Sequence, residues 1–289
     1  GCGKADSLAP ATGLFSWWPP RARELMLGAR SGGILTGEDV DNIRNMLFDA
    51  DAGGDVVFLV NAFAAYAAAR LAIEFVLPGK LRGYTHQQYV VTLAHQVVVL
   101  PVLAVCWAAG LLASGGSASG GPSEAPGLIY LLTGAYVLSD SLVNYSPISA
   151  AIAGSAGPPT FSWGVHAHHG FTLLLCLLGT TLPPWLEVEG AVAILLGEAG
   201  SLWITITLLR PTRTNFLLRL LTFFASRLCA VPIAIDVLRQ CESPLTFYPL
   251  LAGVAGLVYD NVRTLLRMRY HARQAAAGGG VAEHGSWPL

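Results

Sequence analysis

The chain has 289 residues, 53% of them hydrophobic and 12% charged, with a mean hydropathy of +0.54. That composition is too apolar and too poor in charge for an ordinary soluble domain and points to a polytopic membrane protein. A net charge of −1 and a pI of about 6.7 supply no basic surface of the kind that follows a phosphate backbone, which argues against nucleic acid as a partner and leaves membrane lipid.

Residues 1–55 read as an extramembrane segment. Trp17-Trp18-Pro19-Pro20 has the character of an interfacial anchor, and Thr36, followed by Glu38, Asp39 and Asp41, opens a short amphipathic helix. No secretory signal is visible at the start, and the absence of an initiator Met points to processing or truncation. Gly1-Cys2-Gly3-Lys4 imitates a dual-acylation signal, but Ala5 stands where the motif wants Ser or Thr, and a luminal N-terminus would not meet the cytosolic enzyme. Asp49-Ala-Asp-Ala-Gly-Gly-Asp55 imitates the first half of a calcium loop. The closing Glu is replaced by Val60, so an acidic turn ahead of a membrane span is expected instead.

Apolar runs of span length then recur, about seven by the length needed to cross ~30 Å of hydrocarbon. They run approximately Val56–Leu77, Tyr89–Ala113, Gly127–Tyr145, Trp163–Leu182, Ala191–Leu209, Leu217–Leu238 and Leu245–Leu266, with the Gly/Ser run at 114–121 as a flexible loop. The expected fold is therefore all-α, a polytopic membrane helix bundle. Cys106, Cys176 and Cys229 fall inside spans while Cys2 and Cys241 fall outside, with neither metal-ligand nor disulfide spacing. With seven spans, Lys80–Arg82 and Arg210–Arg219 share a side with Arg267, Arg269 and Arg273, while only Arg44 and Arg239 lie close to a span on the other. The positive-inside rule then predicts a cytosolic C-terminus.

Polar residues interrupt these runs in a pattern. Thr92, His95 and Gln96 share a helical face in the second span, and Tyr136, Asp140 and Asn144 form a stripe at i+4 steps in the third. Glu198, Ser201 and Thr205 line up in the fifth, and Arg227 follows Ser226 in the sixth. Each alone has a structural reading, as a buried pair or a back-bonded hydroxyl. Together they predict inward faces converging on one cavity, because an ionisable group facing hydrocarbon is costly.

The fourth span opens with Ser162-Trp-Gly-Val-His166-Ala-His168-His169-Gly170. Neighbours on a helix diverge by about 100°, so His168 and His169 point apart while His166 and His169 share a face. One or two of the three are expected to face the cavity, where imidazole acts as a base near neutral pH with Asp140, or next Glu198, orienting it. Thr172 is expected to add a hydroxyl to the His168 face.

The order His95, Asp140, His168-His169, Glu198 and Arg227 in a Phe-rich helix resembles the TLC-domain family, over roughly Gln87 to Arg269. That family comprises ceramide synthases, translocation-associated membrane proteins and smaller lipid-homeostasis proteins. His168-His169-Gly-Phe-Thr172 is similar to the start of the His-His-x-x-Thr motif of ceramide synthases. Beyond it the chain departs. Leu177-Leu178-Gly179-Thr180 stands where a Ser-Tyr pair is expected, and Gly197-Glu198-Ala199-Gly200-Ser201 is closer to the Glu-x-Ser/Thr segment of the smaller members. The resemblance implies a six-helix barrel-like core enclosing a long lipid cavity, plus one additional span.

The organisation expected from these readings is an N-terminal segment 1–55, a first transmembrane helix and loop 56–86, a TLC domain 87–269, and a disordered tail 270–289. The function expected is lipid binding with an effect on membrane lipid composition in the endoplasmic reticulum or another endomembrane. Acyl transfer, if it occurs, would use His168, His169, Asp140, Glu198 and His95, with acyl-CoA as co-substrate and no resident cofactor or metal. The alternatives are a ceramide synthase, a zinc-dependent lipid amidase with His95, His166 or His169 and Asp140 as ligands, and a non-catalytic lipid sensor or chaperone.

Overall fold

The structure, a computed structural model, describes residues 50–81, 83–113, 125–144 and 163–276. The Trp-Trp anchor, the acylation motif, the first amphipathic helix, the Gly/Ser run, Arg44, Arg82 and residues 277–289 lie outside the described residues.

Helix α1 covers Ala50–Val76. The part of the acidic stretch that is described, expected as a turn, is helical from Ala50 onward. A two-strand ladder follows, β1 (Lys80–Leu81) paired antiparallel with β2 (Tyr84–Thr85), and Gly83 supplies the positive φ of 88° its turn requires. Helix α2 (His86–Ala94) starts at the ladder, with Gln88 Oε1 accepting the Thr85 backbone N–H at 2.9 Å, the return bond of a capping box. It continues through a π-helical turn, His95–Val99, into α3 (Leu100–Ala113). The widening directly precedes Pro101, whose ring would clash with the Val97 carbonyl in a regular helix and which has no N–H to give it. Next come α4 (Ala125–Asn144), α5 (Trp163–Gly179), α6 (Pro184–Leu209), α7 (Arg213–Gln240) and α8 (Pro244–Ala276).

With α2, the π turn and α3 taken as one rod, seven helical rods stand among the described residues, one at each apolar run, and the protein is all-α apart from the small ladder. Five are long and apolar enough to cross a membrane: Asp55–Val76, His86–Ala109, Ala125–Asn144, Pro184–Leu209 and Arg213–Gln240. α5, at 17 residues, reaches only about 26 Å at 1.5 Å per residue. α8 is long enough, but its second half carries Asp260, Arg263, Arg267 and Arg269. It also runs through Ala276, so residues 270–276, expected in a disordered tail, continue the helix.

Packing inverts the pattern of a soluble protein. Arg70, Glu74, Gln87, His95 and Asn144 are fully buried, whereas Val57, Phe75, Val98, Val105, Leu221 and Leu228 are exposed. On α7 the two faces separate cleanly: Leu217, Leu221, Phe224 and Leu228 point outward at helical spacing, and Phe216, Arg219, Phe223 and Arg227 point inward. An apolar exterior around a polar interior fits a multi-pass membrane protein.

The short connections 180–183, 210–212 and 241–243 make α5, α6, α7 and α8 successively antiparallel. Between α6 and α7 the corner is locked by Thr212 Oγ1 accepting the Asn215 N–H at 3.1 Å and by Asn215 Nδ2 donating to the Arg210 carbonyl at 2.6 Å. The ends of α5 and α7 and the starts of α6 and α8 meet in an apolar cluster of Leu178, Leu182, Leu186, Val237, Leu238, Leu250 and Val254. A second cluster is built around Leu100, Ile129, Tyr130 and Cys176. The polar groups are left to gather at the opposite end.

Candidate functional site

At that opposite end lies a cavity of about 210 Å³. Its wall draws on the starts of α2, α5 and α7 (Gln88, Val165, His168, Arg219) and the later parts of α4, α6 and α8 (Asp140, Leu208, Asp260, Arg267). The predicted convergence is present: Thr92, Gln96, Tyr136, Asp140, His168, His169, Glu198, Ser201, Thr205 and Arg227 all line this one space. Its size and position at one end of the bundle differ from the long internal cavity implied by the resemblance.

Both adjacent histidines line it from α5, turned toward different neighbouring helices. His169 lies toward α4, with Nδ1 2.8 Å from Ser141 Oγ and Nε2 3.7 Å from Asp140 Oδ2, a contact too long for a hydrogen bond. His168 lies toward α8, with Nδ1 3.1 Å from Asp260 Oδ2 but without hydrogen-bond alignment. The two ring centroids are 5.9 Å apart. His166, expected on the face of His169, is not part of the lining. Thr172 is buried and donates to the His168 carbonyl at 2.9 Å, so its hydroxyl serves the helix and not the cavity.

Asp140 is not held chiefly by histidine. Its Oδ1 lies 2.8 Å from Arg70 Nη1 and also accepts from Asn144 Nδ2. Arg70 in turn donates from Nε to Ser139 Oγ at 3.1 Å and from Nη1 to Gln87 Oε1 at 3.0 Å, while Gln87 Nε2 donates to Asn144 Oδ1. This buried network ties α1, α2 and α4 together below the cavity floor. Arg70 and Gln87 were not anticipated, although Arg70 and Glu74, four apart in an otherwise apolar run, carried the signal. Glu198, the second orienting candidate, accepts from Gln96 Nε2 at 2.9 Å and pairs with no histidine among the described residues.

His95 does not line the cavity. It is fully buried, stacked on Tyr136 with centroids 4.3 Å apart, with Nδ1 2.7 Å from Tyr66 Oη. Tyr136 Oη meets Thr92 Oγ1 at 2.9 Å, so His95 contacts the cavity wall through Tyr136. Among the described residues no three His, Cys, Asp or Glu side chains come together as metal ligands, and the set His95, His169 and Asp140 is not assembled.

Across the cavity, Arg227 donates to the Gly197 carbonyl at 2.6 Å, to Ser226 Oγ at 2.9 Å, to Ser201 Oγ at 3.1 Å and to Asn261 Oδ1 at 3.2 Å, over the Phe223 ring. All four acceptors are neutral. Gly200 makes this possible, because a Cβ there would strike Ser226 and lie 2.8 Å from Arg227 Nη1. The α8 contribution, Asp260, Asn261, Thr264 and Arg267, went unnoticed in sequence because these residues fall where the last apolar run gives way to a charged stretch.

The described chemistry is thus a small cavity at one end of an apolar bundle, with two imidazoles, three carboxylates and three guanidiniums on its wall. No family model, curated protein or solved structure matches the chain.

Proposed function

We propose that this is a multi-pass membrane protein of TLC-domain type, with seven spans around a six-helix core and a cytosolic C-terminus, that takes up lipid and influences membrane lipid composition. The observation that carries the reading is the meeting of His168 and His169 in one cavity, each with a carboxylate within 4 Å, inside an apolar-surfaced bundle. Ionisable groups gathered in this way mark a functional site. The walls Val137, Ile204, Leu208 and Phe223 would receive the proximal part of an acyl chain.

The chemistry such a wall supports is acyl transfer from acyl-CoA. One imidazole removes the proton from an acceptor hydroxyl or amine as that atom attacks the thioester carbonyl, and the thiol leaves with the proton. His168, facing Asp260, is the better-placed base, because Asp260 stabilises its charge while Asp140 is already neutralised by Arg70. That same Arg70–Asp140 pairing favours a second reading, a non-catalytic lipid sensor, since the carboxylate beside His169 is committed to structure.

Mass spectrometry of lipid retained by the purified chain tests the common core of both readings. Lipid should be retained by the native protein and lost from Thr205→Trp, which fills the cavity. Equal retention, or none in either, would place the lipid elsewhere or dismiss it. Endoplasmic-reticulum residence is part of the proposal and is tested by fractionation.

A further inference from the structure

The charges on the cavity wall are not all paired. Three guanidiniums (Arg219, Arg227, Arg267) and three carboxylates (Asp140, Glu198, Asp260) line it, and Arg70 reaches Asp140 from beneath. Asp140 is taken by Arg70, Asp260 Oδ2 lies 3.1 Å from His168 Nδ1, and Glu198 accepts from Gln96, so none of the three is paired with Arg219. Arg219 is left over. It is 8% exposed, lines the cavity, has a buried Nε without a hydrogen-bond partner, and forms no ion pair among the described residues. Arg267, on the facing helix α8, also lines the cavity and forms no ion pair among the described residues.

A buried guanidinium without an anion is costly, more so in a bundle surrounded by hydrocarbon. Its fork of donors suits two oxygens of a phosphate or carboxylate. Gln88 and Thr264, also on the wall, are neutral groups able to complete such an oxygen cage. The volume of about 210 Å³ suits a head group and its first carbons better than a whole acyl chain.

We infer that Arg219 and Arg267 form an anion site for the phosphate of a phospholipid head group, which sets the lipid in register with His168 and His169. The inference rests on the lipid-uptake reading above and adds the class of head group. Phosphate chemistry could also come from a free ion, so the test separates the two sources.

The full chain is placed in phosphatidylcholine nanodiscs and titrated with phosphatidic acid, with diacylglycerol as a neutral lipid of the same chains, and with inorganic phosphate as a soluble competitor. Native mass spectrometry reads occupancy. Phosphatidic acid should bind at least about tenfold tighter than diacylglycerol, and Arg219→Gln should weaken it by about tenfold or more, the loss of one charge-assisted hydrogen bond. Arg219→Lys should restore part of the loss, and Arg267→Gln should act in the same direction. Inorganic phosphate should compete only at far higher concentration. Equal binding of both lipids with no effect of Arg219→Gln would overturn the head-group site and leave lipid uptake standing. Displacement of phosphatidic acid by equimolar inorganic phosphate would reassign the site to a free anion. No binding of either lipid would refute the underlying uptake reading. Thermal unfolding of each variant, with Arg219→Lys as the charge-conserving comparison, separates lost binding from lost fold.

Discussion

Arg70 Nη1 sits 2.8 Å from Asp140 Oδ1, joining the first rod to the third in the buried floor of the cavity. The pair is completed by Ser139, Gln87 and Asn144, so it is a hydrogen-bonded network and not an isolated bridge. Breaking one side of a buried pair leaves an uncompensated charge.

Arg70→Met should therefore destabilise the protein by about 3–5 kcal/mol. The double variant Arg70→Met/Asp140→Leu should recover more than half of that loss, because removing both charges removes the desolvation cost as well. Reversible unfolding in detergent micelles, arranged as a double-mutant cycle, measures both. Additive losses would mean that the two side chains do not act as a pair.

Gly200→Ala should destabilise by about 1–3 kcal/mol through overpacking of α6 against α7. The new Cβ meets Ser226 and Arg227, whereas at Gly197 nothing stands within 4 Å. Gly197→Ala is the matched control and should change stability by no more than about 1 kcal/mol, the difference in helix propensity. The same unfolding assay ranks the two.

The seven-span topology predicts that cysteines at Arg210 and Arg273 react with a membrane-impermeant maleimide from the cytosolic face and that one at Arg239 reacts from the opposite face, in a background without native cysteines. Labelling of Arg210 and Arg239 from the same face would break the alternation.

Much of this architecture was legible in the sequence, for a physical reason. A run of apolar residues long enough to cross hydrocarbon is a strong signal, so each of the seven predicted runs coincides with a helical rod. The ends were less legible: α1 begins at Ala50 and α8 runs on to Ala276, because helices extend past the apolar runs that reveal them. Asp140, His168, His169, Glu198 and Arg227 line the cavity as expected, since a polar side chain in an apolar run must turn inward. Turning inward does not say toward what. His95 shares its stripe with Thr92 and Gln96, yet it packs against Tyr66 and Tyr136 while they reach the cavity. Helical spacing gives a face about 100° wide and leaves the neighbour to tertiary packing. Asp260 could be recognised as a partner of His168 only once α8 was packed against α5.

The claim that the paired histidines act on lipid is tested most directly by lipid composition in cells lacking the protein and complemented with His168→Ala, His169→Ala or lipid-facing Val98→Ala. Both histidine variants should accumulate to normal levels yet leave the lipid composition of the null cells uncorrected, with His168→Ala the more severe because His168 faces Asp260. Val98→Ala should behave as wild type, since that side chain is exposed on the outer face. Restoration of wild-type composition by both histidine variants would contradict the account and leave the cavity a lipid-binding scaffold.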